Sequence, residues 1–121
     1  MVIKRILVVD DDAQLRLLLV DTLQTIGYES VGVTDGVEAL EQLKHDPFHL
    51  VISDISMPNM DGIALAMELR RRYPHVGILL ITGVATAETE RKAKSEKLCD
   101  GYLAKPFRID RIEAMIESVM K

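Results

Sequence analysis

The sequence is poor in the residues that staple, anchor or break a fold: one cysteine, no tryptophan, four prolines and 4% aromatics in 121 residues. A lone Cys99 excludes an internal disulfide framework and a cysteine-based zinc site, and it fits a reducing, cytoplasmic compartment. The histidines fall at 45, 49 and 75, and Pro47 interrupts the first two, so they are expected on surface loops and not on a metal. No apolar run approaches a membrane span: the stretch from Met1 to Val9 ends in Asp10, Asp11 and Asp12, which also excludes a signal peptide. Positive charge is short as well. Fifteen basic against nineteen acidic residues give a net charge of −4, which argues against direct binding to nucleic acid.

What is present is apolar substance in a regular order. With 48% hydrophobic residues the chain can bury a full core, and its length fits one domain over residues 1–121, with no room for a separate output domain. Ile6 to Val9 reads as a buried strand. Leu15, Leu18, Leu19, Leu23 and Ile26 then trace one helical stripe that Gly27 ends. Tyr28 to Val33 is a second strand, followed by a helix that Asp35 and Glu38 cap and Pro47 closes. Leu50 to Ser53 is a third strand, and a loop from Asp54 to Asp61 leads into a helix through Leu65, Leu69 and Tyr73. Arg70, Arg71 and Arg72 close that helix as solvated charges at its negative end.

Ile78 to Thr82 is a fourth strand. The segment from Thr86 to Lys97 is polar nearly all round, with Glu88/Lys92 and Glu90/Lys94 at salt-bridge spacing, so that helix has little to bury. Gly101 to Ala104 is a fifth strand, and Ile109, Ile112, Ile116 and Val119 form the buried face of a last helix. Five fully apolar strands alternating with five helices predict an α/β doubly wound fold, a parallel sheet between two layers of helices. Such folds bind ligands beyond the carboxyl ends of the strands.

Four of the five strand ends carry chemistry: Asp10 and Asp11, Asp54, Thr82 and Lys105. Carboxylates about 5 Å apart repel by roughly 3 kcal/mol at an effective dielectric near 20, so three of them call for a cation. Mg²⁺ suits oxygen ligands and accepts phosphate oxygens, while Lys105 and the Thr82 hydroxyl offer a charge and a donor for a phosphoryl group. Taken alone, the acid run could also be a solvated turn with Asp12 capping a helix.

Ile6-Leu7-Val8-Val9-Asp10-Asp11-Asp12, Val51-Ile52-Ser53-Asp54 with Met57-Pro58-Asn59-Met60-Asp61-Gly62, Ile81-Thr82-Gly83 and Gly101-Tyr102-Leu103-Ala104-Lys105-Pro106-Phe107 together resemble the receiver domain of two-component response regulators, the chemotaxis-regulator type included. The resemblance implies a flavodoxin-like sheet of order 2-1-3-4-5. It also implies Asp54 as phosphoacceptor and Mg²⁺ held by Asp11, Asp54 and the Ser56 carbonyl, with Asp10 acting through metal-bound water. Thr82 and Lys105 would contact phosphoryl oxygens, the Lys105–Pro106 peptide would be cis, and Tyr102 would be a switch aromatic. Implied partners are a sensor histidine kinase or histidine phosphotransfer protein and an output domain or downstream protein. Readout would pass through the fourth helix, fifth strand and fifth helix, which can also support a phosphorylation-dependent homodimer. Such a domain assists its own phosphorylation and dephosphorylation without turning over a metabolite. Ser56 and Val84 flank the path of water to Asp54 in the family pattern, and their limited polarity predicts slow hydrolysis.

Two other readings compete. Asp10-Asp11-Asp12, Thr82 and a later lysine are also similar to a haloacid-dehalogenase-type phosphatase with Asp10 as nucleophile. That reading leaves Asp54 and its Met57-Pro58 loop unexplained and lacks a cap insertion. A receiver-like module used only for docking would have no need of all five reactive groups.

Overall fold

The computed structural model describes residues 4–83, 86–95 and 97–120. Five strands alternate with five helices: β1 (Arg5–Val9), α1 (Ala13–Ile26), β2 (Glu29–Val33), α2 (Gly36–His45), β3 (Leu50–Asp54), α3 (Gly62–Arg72), β4 (Gly77–Thr82), α4 (Ala87–Ser95), β5 (Gly101–Ala104) and α5 (Ile109–Val119). The strands form one sheet in the order β2-β1-β3-β4-β5, and every pairing is parallel. This is the flavodoxin-like arrangement the sequence predicts.

Period-two alternation along the strands divides the core between the two faces. Ile6 and Val8 of β1, Ile52 of β3 and Leu79 and Ile81 of β4 pack with Leu19 and Leu23 of α1 and Ile112 and Ile116 of α5. Leu7 and Val9, Val51 and Leu80 face the other way, toward Leu43 of α2, Leu65 and Leu69 of α3 and Ala93 of α4. Each fully buried side chain of this size contributes roughly 1.5–3 kcal/mol, so the strand ends are held on a rigid base.

Helix starts follow local chemistry. Asp12 caps α1 by accepting from the Gln14 and Leu15 amides, Asp61 caps α3, and Thr86 and Thr89 exchange side chain to backbone bonds at the start of α4. Gly27 ends α1 at φ 121°, a conformation that favours glycine. The α4 helix stops at Ser95 rather than Lys97, and Ala93 is the one buried side chain among its described residues. Its Glu90 and Lys94 pair at 2.8 Å, whereas no such pair joins Glu88 to Lys92 among the described residues.

Four expectations need correction. His45 lies in the last turn of α2, paired with Glu41, and His49 keeps its place in the loop to β3 but is half-buried, its Nδ1 accepting from the Arg5 amide. The α1 stripe is narrower than its periodicity suggests, with Leu18 50% and Ile26 37% exposed. Ile109 is also 37% exposed, since it opens α5 on the rim of a hollow beside Lys105 and the helix is anchored by Ile112 and Ile116 instead. Arg70, Arg71 and Arg72 do more than solvate a helix end: Arg70 reaches Asp100 at 3.1 Å, and the other two share Glu68.

Candidate functional site

The parallel sheet brings Asp10, Asp54, Thr82 and Lys105 together at the carboxyl ends of its strands, because each follows or ends an adjacent strand. Register sets Val9 beside Ser53, Asp54 beside Ile81 and Thr82 beside Ala104. Asp10 and Thr82 are essentially inaccessible, Asp54 is buried and Asp11 is exposed. One carboxylate oxygen each from Asp10, Asp11 and Asp54 lies within 4.8 Å of the others. Three convergent carboxylates, two of them buried, form a hard, oxygen-only donor set, and that fits a divalent cation.

Lys105 enters from the end of β5, two strands over from β3. Its Nζ lies 3.0 Å from Asp54 Oδ2 and 3.4 Å from Asp10 Oδ2. The Lys105 amide donates to the Thr82 carbonyl at 2.7 Å, which continues the strand pairing up to the lysine, and the Lys105–Pro106 peptide is cis as expected. Burial alone would lower the Lys105 pKa, but hydrogen bonding and charge from Asp54 and Asp10 outweigh it and raise it. Asp10 is pushed above the ordinary carboxylate value, chiefly by burial and further by the charge of Asp54. The Asp12 amide, 2.9 Å from its Oδ1, and Lys105 oppose that shift.

Asp54 Oδ1 accepts from the Ser56 amide at 3.3 Å, so the loop after β3 turns over the carboxylate. Tyr102 is half-buried, its hydroxyl 3.5 Å from Thr89 Oγ1 on α4 and its ring beneath Lys94. Val84 lies outside the described residues. Asp12 is committed to capping α1, so the acid run divides into two groups that converge on Asp54, one buried and one exposed, and one structural cap.

Sequence reasoning missed several supports. Arg16 Nη1 donates to the Asp10 carbonyl at 2.8 Å, which fixes the turn that carries the acids. Gly32 on β2 makes room for it, because a Cβ there would meet Arg16 Cγ at 2.8 Å. Asn59 Nδ2 donates to Asp35 Oδ2 at 2.7 Å. A shallow hollow of about 380 Å³ beside Lys105 is lined by Leu15, Leu18, Phe107 and Ile109, so the exposed apolar residues of α1 and α5 meet at the rim of the site. A larger hollow of about 530 Å³ lies far from it, between the ends of α2 and α3.

This constellation at the carboxyl ends of a doubly wound parallel sheet defines an α/β domain with an acidic, lysine-paired pocket, and comparison narrows it. The chain belongs to the response regulator receiver domain family, whose model matches residues 6–117. It is 36% identical over 118 residues to the probable transcriptional regulator ycf27 of Porphyridium aerugineum, covering 98% of this chain but 48% of that protein. The chain thus spans about half the length of that relative. Against the response regulator receiver protein CpdR of Brucella abortus it is 35% identical, covering 97% of both. Among solved structures, response regulator protein TrrA of Thermotoga maritima in complex with Mg²⁺ and BeF superposes with a TM-score of 0.86 at 35% identity, covering 97% of this chain and 99% of that one. TrrA in complex with the histidine kinase ThkA also gives 0.86, at 33% identity, covering 98% of this chain and 100% of that one. Among the described residues, no helix is long and apolar enough to cross a membrane.

Proposed function

We propose that this domain is a phosphoacceptor switch in which Asp54 receives a phosphoryl group from the histidine of a sensor kinase or phosphotransfer protein. The observation that carries the reading is the Asp54 carboxylate held at 3.0 Å by Lys105 within a cluster of three carboxylates at the carboxyl ends of the strands. Asp10, Asp11 and Asp54, with the Ser56 carbonyl, would hold Mg²⁺. When bound, the cation supplies neutralising charge for the phosphoryl oxygens.

Asp54 acts as nucleophile through one carboxylate oxygen, forming an acyl phosphate as the bond from phosphorus to the donor nitrogen breaks. Lys105 supplies a fixed positive charge, and its raised pKa keeps it protonated at neutral pH. Thr82, at the end of β4, would donate its hydroxyl to a phosphoryl oxygen. Water then returns Asp54 to the free acid, slowly, as Ser56 and Val84 offer little help to it. The exposed Leu18 and Ile109 beside Lys105 give a histidine-bearing partner an apolar foothold.

The bound phosphoryl group draws Thr82 and Lys105 together and biases α4, β5 and α5 toward a second arrangement. The slight anchoring of α4 and the Tyr102 contact to Thr89 support this route. Partner choice, or pairing with a second copy, would follow from that face. The phosphatase alternative loses ground because Asp10 is fully inaccessible, and Asp12 of the same acid run is used as a helix cap.

Incubation with phosphoramidate and Mg²⁺ followed by intact mass measurement tests the reading. The parent should gain one phosphate and Asp54→Asn none; a stoichiometric phosphate on Asp10 of the variant would overturn it.

A further inference from the structure

Asn59 adopts φ 69°, in the left-handed region. Glycine enters that region most easily, and asparagine is among the few other residues that tolerate it. Backbone shape would admit glycine at least as well, so what asparagine adds here is its side chain. Its Nδ2 donates to Asp35 Oδ2 at 2.7 Å, while Asp35 Oδ1 accepts from the Glu38 amide at 2.9 Å. One buried carboxylate thus caps α2 with one oxygen and ties down the loop after β3 with the other.

A second contact seats the same loop on the same helix end. Gly36, the first residue of α2, packs against Met60 so closely that a Cβ would lie 3.0 Å from Met60 Cγ and Sδ. Between Asp54 and these two fixed points runs the segment containing Ser56, whose amide donates to Asp54 Oδ1. We infer that Asn59 is a positioning residue: its bond to Asp35 holds the loop after β3 against α2 and presets the surroundings of Asp54 for cation and phosphoryl group. The inference rests on the phosphoacceptor reading. A loop ordered in advance loses less entropy when the cation binds, so the bond should appear as cation affinity and acceptor rate.

The test uses Asn59→Gly, which keeps the left-handed backbone and removes the amide, and Asp35→Ser, which keeps a capping oxygen but lacks the second one. Calorimetric titration with MgCl₂ should show Kd weakened roughly tenfold in each variant, the usual scale for a residue supporting metal ligands. Amide hydrogen exchange of residues 55–60 in the metal-free protein should quicken in both. The double variant should be no worse than the worse single variant, because both remove one bond. Additive losses in the double variant, or an Asn59→Gly protein that matches the parent in Kd and loop exchange, would overturn the positioning role alone. A parent protein that takes up neither Mg²⁺ nor phosphate would overturn the phosphoacceptor reading together with this inference.

Discussion

Gly62 carries the strictest demand of any residue near the site. A Cβ at this position would stand 2.3 Å from the Asp54 carbonyl oxygen and 2.8 Å from Ile55 Cα, and the Gly62 amide donates to the Ile55 carbonyl at 2.8 Å. The first turn of α3 is therefore pressed against the backbone that presents Asp54, and no flexible side chain can yield. Gly62→Ala should cost about 2–3 kcal/mol of stability, as overpacking does, and slow phosphorylation of the folded fraction by moving Asp54. Urea unfolding measures the first effect; an unchanged midpoint would show that the α3 start can retreat freely. Sequence alone flags Gly62 only as part of a motif. Its reason is a contact between segments, as it is for Arg16 on Asp10 and Gly32 beneath Arg16. By contrast Asp10, Asp54, Thr82 and Lys105 were legible, since each follows an unmistakably apolar strand and topology alone collects strand ends.

At the scale of elements, α2 shows how a cap becomes a pH-sensitive support. Hydrogen bonding from the Glu38 amide, then from Asn59, lowers the Asp35 pKa below its ordinary 3.8, with burial opposing. A carboxyl with a depressed folded value stabilises the fold above the unfolded value, and that contribution fades as pH falls through the folded one. Asp35→Ala should therefore lose about 1 kcal/mol at pH 7, the usual worth of an N-cap. The gap to the parent should narrow below pH 3.8, the ordinary value, in denaturant titrations at matched salt. A gap that is constant with pH would mean the loss is packing and not charge. Elements were legible where one pattern dominated: strands of β-branched and aliphatic residues, and helices opened by Asp12, Asp35 and Asp61. The pattern misled at Leu18 and Ile109, whose helical spacing promises burial but whose positions lie at the rim beside Lys105. It also misled at His45, which closes α2 while Pro47 stands two residues beyond it in the loop to β3.

Across the whole molecule, the sheet's stability and the site's chemistry oppose one another. Packing from two helical layers fixes Asp10 in an inaccessible place, and burial together with the Asp54 charge raises its pKa despite Lys105 and the Asp12 amide. A raised folded value means that ionised Asp10 works against folding: its favourable contribution is complete below the ordinary 3.8 and is lost as pH rises through the folded value. At neutral pH the metal-free domain thus holds a charge it would be more stable without, and Lys105 only partly compensates. Two outcomes follow from this one arrangement. Mg²⁺ at a hundredfold excess over Kd should stabilise the parent by about 2.7 kcal/mol, the linkage value for a ligand that binds only the folded state. Asp10→Asn should melt higher than the parent in chelator, because the buried charge is gone while an oxygen remains to accept from the Asp12 amide. The same variant should respond less to Mg²⁺, so that the order of the two proteins narrows or reverses as the cation is added. Thermal melts of both proteins in chelator and in millimolar Mg²⁺ decide the matter. A variant that melts lower than the parent in chelator would mean that the ion pair with Lys105 outweighs the burial of Asp10, and the opposition between fold and site would then lie elsewhere in the carboxylate cluster.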